Sequence, residues 1–479
     1  AGVISTLQQY KLTEAPLPEN LTADEVIEYC RALKGLPLRQ EVYSDEGSDE
    51  IKKHPYTVTH HNYEIQLLQH KEEQKHAVFL SHEKETLMFN YERNTFDPRI
   101  AHTINVEIDK YGNVLQSASI VYGRKKADAS LPTDKDREKQ TKQYVSYTLN
   151  RFTKEIDLPS AYRLQVACET QTFEINTKAP DNTFFTGDEI KKRFEEAAVK
   201  VYEQETSVNE KRKIEHSRTL FLKDDLTGPK PFGFLDNRGL LYENYLLAFT
   251  PTLVQHIYGG KYDENLWRNK AFYVRSDGDD NYWIKSGKTY FHPDLSTDPF
   301  TKSIPIPVAA DVNFAKSNFF LPVTYEDNFN NLTKVFYDKY KMFIERAIDA
   351  VDNEINVDAS NYRVVAPYLM HDANNNRSGV RFDELGLVTH TFVMGKVNEF
   401  KGDPIDLNSH ELSPEDRPSS ILEYEFRYYD TNGQQPNRVK STVFEKHHYK
   451  ESQPTAGGII NWLTNIFSST TNTPELETD

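Results

Sequence analysis

The chain has 479 residues, 37% hydrophobic and 27% charged, with 57 basic against 73 acidic side chains and a net charge of −16. So acidic a surface repels a phosphate backbone unless a basic stripe is set into it. The densest basic runs, Lys125-Lys126, Lys191-Lys192-Arg193 and Lys211-Arg212-Lys213, each sit among acids and read as solvated faces, which argues against a nucleic-acid partner.

Residues 1–40 form a helical lead-in, in which Thr22 has the place of an N-cap and Glu25 that of its capping-box partner, with Gly35 and Pro37 ending the helix. Residues 41–218 are a β-rich middle region. Tyr56-Thr57-Val58-Thr59, Tyr63-Glu64-Ile65-Gln66-Leu67 and Thr103-Ile104-Asn105-Val106-Glu107-Ile108 alternate apolar with polar there. Helical inserts are expected near 132–145, which is almost wholly polar, and near 187–205, where Ile190, Phe194, Ala197, Ala198 and Val201 fall at helical spacing after Gly187-Asp188. Residues 219–450 read as a hairpin sheet of short apolar runs between Pro, Gly, Asn and Asp. The segment 451–479 is partly disordered by composition, and its apolar run at 458–467 is too short to cross a bilayer. A chain that opens Ala-Gly-Val-Ile, with neither methionine nor a basic leader region, is expected to be a fragment or a processed piece. Cys30 and Cys168 make no disulfide framework and no zinc pair, and are expected to be reduced and packed.

One turn signature recurs between apolar runs: Asp, two residues, then Gly, Asp or Asn, then Asn. It is cleanest at Asp109-Lys110-Tyr111-Gly112-Asn113 and returns at Asp349 to Asn353, Asp372 to Asn376 and Asp277 to Asn281. Looser forms start at Asp236, Asp383 (with Gly386) and Asp430. The leading Asp accepts backbone amides across a type I turn, and the fourth residue takes the left-handed conformation, so each copy joins two antiparallel strands. An aromatic precedes the Asp in Tyr337-Asp338, Phe382-Asp383 and Tyr429-Asp430. Hairpins that cannot bury a core singly must stack sideways into a continuous sheet. The expected fold is mainly β: a repeat-built, curved antiparallel sheet of β-hairpins with a few helical inserts. The structural turn residues are Asp109, Gly112, Asn113, Asp349, Asn353, Asp372, Asn376, Asp383 and Gly386.

These aromatic-Asp turns resemble Rhs/YD repeats. Several stretches resemble the middle-to-C-terminal region of the B subunit of insecticidal toxin complexes: Leu38-Arg39-Gln40-Glu41-Val42-Tyr43, His54-Pro55-Tyr56-Thr57-Val58-Thr59, His76-Ala77-Val78-Phe79, Tyr91-Glu92-Arg93-Asn94 and Asp97-Pro98-Arg99-Ile100-Ala101-His102. Tyr111 to Ala118, Asn361-Tyr362-Arg363-Val364, Asn376-Arg377-Ser378 and Val393-Met394-Gly395-Lys396 continue it, over roughly residues 12 to 410 and in order. The resemblance implies a non-catalytic wall that joins the Rhs repeats of a C subunit in a hollow β-shell around that subunit's toxic domain. It also implies assembly in a bacterial cytoplasm followed by secretion. The propeller through which the family docks on the A subunit, and the self-cleaving aspartate site of the C subunit, have no counterpart in this sequence.

Catalytic and metal motifs are weak by comparison. Adjacent strand residues point to opposite faces, so His60-His61 and His447-His448 read as surface histidines rather than shared ligands. Asp277 to Asn281 resembles a calcium loop, but Tyr282 replaces the loop glycine and Lys288 the bidentate Glu. No cofactor, metal or catalytic residue is assigned. The alternative function is a glycoside hydrolase or carbohydrate-binding β protein, since 73 acids leave room for a convergent pair that sequence alone does not mark.

Overall fold

The computed structural model describes residues 17–179, 184–276, 278–293, 309–397, 399, 401–403, 418–426 and 437–445. The calls on Asp277, Asp430, His447-His448, the apolar run 458–467 and the C-terminal segment lie outside these residues. The chain divides into two compact units, Ala1–Ser286 and Gly287–Asp479.

The first unit opens with helix α1 (Ala23–Arg31), whose capping box is complete: Glu25 N–H donates to Thr22 Oγ1 at 3.3 Å, and Thr22 N–H to Glu25 Oε2 at 2.8 Å. Glu25 is buried and also accepts the amide of Lys71 at 2.8 Å, which fastens the helix to the sheet. The amides of Thr22 and Lys71 hold its carboxyl near a pKa of about 2. Strands β1 (Arg39–Val42), β2 (Thr57–Gln69), β3 (Val78–Asn90), β4 (Arg99–Ile108), β5 (Val114–Tyr122) and β6 (Tyr144–Phe152) follow, with short helices α2 (Asp49–Lys52) and α3 (Asp134–Thr141) between them. A small ribbon of β7 (Ile156–Leu158) and β8 (Ala161–Arg163) leads to β9 (Ala167–Asn176). Then come helix α4 (Gly187–Glu196), β10 (Ala198–Lys200), β11 (Glu210–Phe221), β12 (Leu241–Phe249), helix α5 (Pro251–Tyr258) and β13 (Tyr282–Lys285). The sheet order is β1-β2-β3-β4-β5-β6-β9-β11-β12-β13, antiparallel throughout, with β10 added parallel to β11.

The core lies on one face of this sheet. Ile104, Ala118, Ile120, Val145, Tyr147 and Ile175 project from successive strands and are covered by Phe185 and Ile190 of the α4 segment. Phe194 of the same helix stacks on Tyr147 with ring centroids 4.1 Å apart.

The expected helix over 187–205 ends at Glu196. Ala197 is already extended, and Ala198–Lys200 pair with Glu210–Arg212. β-branched Val199 and Val201 favour that pairing over a further turn of helix. The polar insert is shorter than 132–145, covering Asp134–Thr141, and buries none of its residues. Of the two cysteines expected to be packed, Cys168 is buried but Cys30 lies exposed on α1.

In the second unit, β14 (Lys288–Tyr290), helix α6 (Ala309–Ser317), β15 (Thr324–Glu326), β16 (Leu332–Tyr337), β17 (Ile344–Ile348), β18 (Glu354–Asn361), β19 (Ala366–His371), β20 (Arg377–Phe382), β21 (Val388–Met394), β22 (Ser420–Glu425) and β23 (Arg438–Val443) occur in that order. The ten strands pair in strict sequence order, every pair antiparallel. Register shifts at Phe336/Tyr337, Val357/Ala359 and Arg381/Phe382 add local twist of the kind a bowed sheet requires. The mainly antiparallel fold expected from the turns is therefore present, arranged as two large sheets.

Candidate functional site: aspartate-led turns

Five of the described turns share one hydrogen-bonding scheme, and a sixth, at Asp338, extends it by one residue. At Asp109 the N–H donates to Asn113 O (2.9 Å) and Gly112 N–H returns to Asp109 O (3.0 Å). The Asp109 carboxylate accepts the amides of Tyr111 and Asn113, both at 2.9 Å, and the Asn113 side-chain amide at 2.9 Å. Asp349 repeats this with Val351 and Asn353, and Asp372 with Asn374 and Asn376. Asp383 accepts from Leu385 and Leu387. The fourth residue has positive φ in each: Gly112 at 85°, Asp352 at 64°, Asn375 at 62° and Gly386 at 86°. This is a type I turn closed by a left-handed bulge residue, the geometry that joins twisted antiparallel strands.

Two members escaped the sequence reading. Asp327-Asn328-Phe329-Asn330-Asn331 fits the signature in full, with Asp327 accepting Phe329 and Asn331 amides at 2.7 and 2.8 Å and Asn330 at φ 62°. Asp338, noted only for its aromatic neighbour, heads a turn one residue longer. Its N–H reaches Phe343 O (3.0 Å), and Lys341 takes the left-handed place at φ 62°. Asp236 departs from the family of turns: Gly239 N–H does return to Asp236 O, but the carboxylate accepts the amide of Asp224 and pairs with Lys230 at 2.6 Å.

With the new members the spacing becomes regular. Asp327, Asp349 and Asp372 lie 22 and 23 residues apart (349 − 327 and 372 − 349), and they close alternate hairpins on one end of the second sheet. Asp338 and Asp383 close hairpins at the other end, with the Asn361–Val365 turn between them. That middle turn ties its neighbours together. Tyr362 Oη donates to Asp338 Oδ2 at 2.9 Å, while the Arg363 guanidinium donates to the carbonyls of Asp383 and Glu384, the former at 2.5 Å. Tyr362 also packs edge-on against Tyr340 and Phe343.

Asp338 is the most deeply held of these carboxylates, buried and bonded to the amides of Tyr340, Met342 and Phe343. Burial pushes its pKa up, but those amides and the Tyr362 hydroxyl outweigh it and leave a pKa of about 2. Asp109 is likewise below its ordinary value, because the Asn113 and Tyr111 bonds overcome the effect of burial.

The two glycines of the scheme differ in their surroundings. A Cβ on Gly112 would have only Leu80 Cδ1 near it, at 3.9 Å, so Gly112→Val is expected to lose about 1–2 kcal/mol through backbone strain. On Gly386 a Cβ would meet Val364 Cγ1 at 2.8 Å, so Gly386→Val should destabilise more. Thermal melts of both variants check this; unchanged midpoints contradict the turn assignment.

Asp109 also borders a shallow cleft of about 460 Å³ lined by Glu107, Gln116, Asn150, Arg151 and Gln165 among others. Its two carboxylates are engaged: Glu107 Oε2 accepts from Gln116 at 2.7 Å and Lys191 at 2.8 Å, and Asp109 from its own turn. Among the described residues no group of three or more His, Cys, Asp or Glu side chains could hold a metal ion. His60 and His61, expected at the surface, are half-buried instead, His60 Nε2 lying 3.1 Å from Arg39 and His61 Nδ1 2.6 Å from Glu83. No described helix is long and apolar enough to cross a membrane.

Residues 28–164 match the family model described as the insecticide toxin TcdB middle/C-terminal region. Solved structures share the fold. One titled as the crystal structure of TcdB2-TccC3 has a TM-score of 0.55 and 16% identity, covering 92% of this chain and 22% of that one. The crystal structure of TcdB2-TccC3-Cdc42 matches at 0.55 and 16%, covering 99% and 24%. The Photorhabdus luminescens Tc holotoxin pore matches at 0.55 and 17%, covering 88% and 20%. This chain thus spans about a fifth to a quarter of those chains. No curated protein matches the sequence.

Proposed function

We propose that this chain, a toxin-complex B subunit middle/C-terminal region by its family match over residues 28–164 and by its fold, is a non-catalytic wall segment of a hollow Rhs-type β-shell. The shell is completed by a C subunit and encloses that subunit's cytotoxic domain. It assembles in a bacterial cytoplasm and is exported as part of a toxin complex.

The observation that carries the reading is the repeated turn. Each Asp satisfies the amides of its own loop, so hairpin ends need no cap from elsewhere and strands can be added sideways without limit. Such a sheet suits a wall, because its lateral edges present unpaired N–H and C=O groups that a neighbouring subunit's strands can complete while its hairpin ends are sealed.

The experiment is to mix the purified chain with an Rhs-repeat C subunit and image the product in negative stain. Hollow particles containing both chains are expected. Solid particles, or chains that stay apart, contradict the proposal.

A further inference from the structure

Strand β2 lies one place in from an edge of the first sheet, and the strand outside it is short. β1 pairs with Thr57–His60 alone, four of β2's thirteen residues. Past those pairs no described strand completes the outer side of β2. An uncovered edge of that length is a template for another strand, which Lys, Pro and charged side chains ordinarily discourage. β2 has no Lys and no Pro, and Glu64 is its one formal charge. Two register shifts, at Asn62/Tyr63 and Leu67/Gln69, are left to blunt it. β1, by contrast, is charged at Arg39 and Glu41 and exposed along its whole length.

The chain ahead of β2 follows that edge. Tyr56 N–H donates to Val42 O at 2.8 Å and His61 N–H to Leu38 O at 2.9 Å, so β1 lies along the first half. Tyr63 Oη then reaches Pro37 O at 3.1 Å, and Tyr29 of α1 packs edge-on against Phe79, the strand partner of Leu67. Two carboxylates one turn apart fasten the far end. Glu25 takes the amide of Lys71 at 2.8 Å and faces His70 Nδ1 at 3.0 Å. Glu28 takes the amide of Ala77 at 2.7 Å and faces His76 Nδ1 at 2.7 Å. Apolar burial contributes little, since Tyr29 is the one buried ring of α1 and Glu25 its other buried residue. A helix also cannot complete a strand's ladder, because its own N–H and C=O groups are used within it. α1 therefore shields its half of the edge without pairing to it.

We infer that residues 22–42 are a displaceable guard on β2, and that the edge they cover is a site of strand addition whose occupant is a second copy of this chain. An antiparallel edge is its own complement about a two-fold axis, so two uncovered β2 strands can pair with each other. With Glu64 the one formal charge on each, little repulsion opposes that pairing. The clasp of Glu25 and Glu28 keeps free chains apart. The inference does not depend on the shell reading.

The test is Glu28→Ala combined with Tyr29→Ala, in reducing buffer because Cys30 is exposed on the same helix. Both alanines suit a helix and leave the Thr22–Glu25 capping box in place. Sedimentation velocity should find the wild type monomeric and the variant dimeric at the same concentration. Hydrogen exchange should show residues 57–69 less protected in the dilute variant than in the concentrated one, with residues 99–152 as in the wild type throughout. Adding Gln66→Lys and Leu68→Lys, the latter at a position 53% exposed, should return the opened variant to monomer. A variant that stays monomeric, a dimer that survives both lysines, or a wild type that is already dimeric overturns the inference. So does loss of protection over residues 99–152, which would make α1 part of the sheet's own stability rather than a guard.

Discussion

Asp338→Ala is expected to destabilise the second unit by about 2–4 kcal/mol, more than any other single turn substitution. Its carboxylate accepts three amides and the Tyr362 hydroxyl, and the alanine variant leaves all four donors without their acceptor in a buried place. Lys341, held at φ 62° by that loop, also loses the bonds that offset its strain. Asp338→Asn keeps the shape and one acceptor oxygen, so it should fall between alanine and wild type. The native carboxyl has a pKa of about 2, below its ordinary value of 3.8. A depressed acid stabilises the fold above its unfolded pKa, and that contribution, about 2 kcal/mol, disappears as pH falls from about 4 toward 2. Denaturant melts at pH 7 and pH 2.5 check both points. The wild type should lose stability between them while Asp338→Ala loses less, and equal losses contradict the assignment.

The second large effect is expected at Tyr147. Its side chain is fully buried, stacks on Phe194 at 4.1 Å and donates from its hydroxyl to Gln116 at 2.6 Å. Tyr147→Ala removes the ring on which α4 sits, at a cost of about 3–5 kcal/mol for a large aromatic in a core. Tyr147→Phe keeps the stack and forfeits one hydrogen bond, about 1 kcal/mol. Amide exchange resolved by segment separates the two. The alanine variant should expose residues 187–196 as well as β6, whereas the phenylalanine variant should leave the helix protected. Protection of the helix in both would mean that Phe185 and Ile190 hold it without Tyr147.

Local chemistry in this chain was legible in its sequence to the extent that it is local. The Thr22–Glu25 capping box spans three residues and forms as read. What escaped depends on register. Glu25 binds the amide of Lys71, 46 residues on, and Tyr362 reaches Asp338 across 24 residues, pairings that exist only once the strands have aligned. The Asp327 turn fits its signature and was readable; without it the 45 residues between Asp338 and Asp383 concealed two repeats of 22 to 23. Helix α4 was overextended because Ala197 and Ala198 suit a helix, and only the arrival of β11 alongside draws Ala198–Lys200 into a strand.

A cryo-EM map of this chain bound to an Rhs-repeat C subunit, detailed enough to trace strands, bears most directly on whether the chain walls a container. The density should show both of its sheets running edge to edge with the partner's strands around an enclosed space, with the Asp-led bends lying within the wall's own thickness. Density in which those bends bury themselves in a solid interior, or in which the partner's strands never continue either sheet, would end that account.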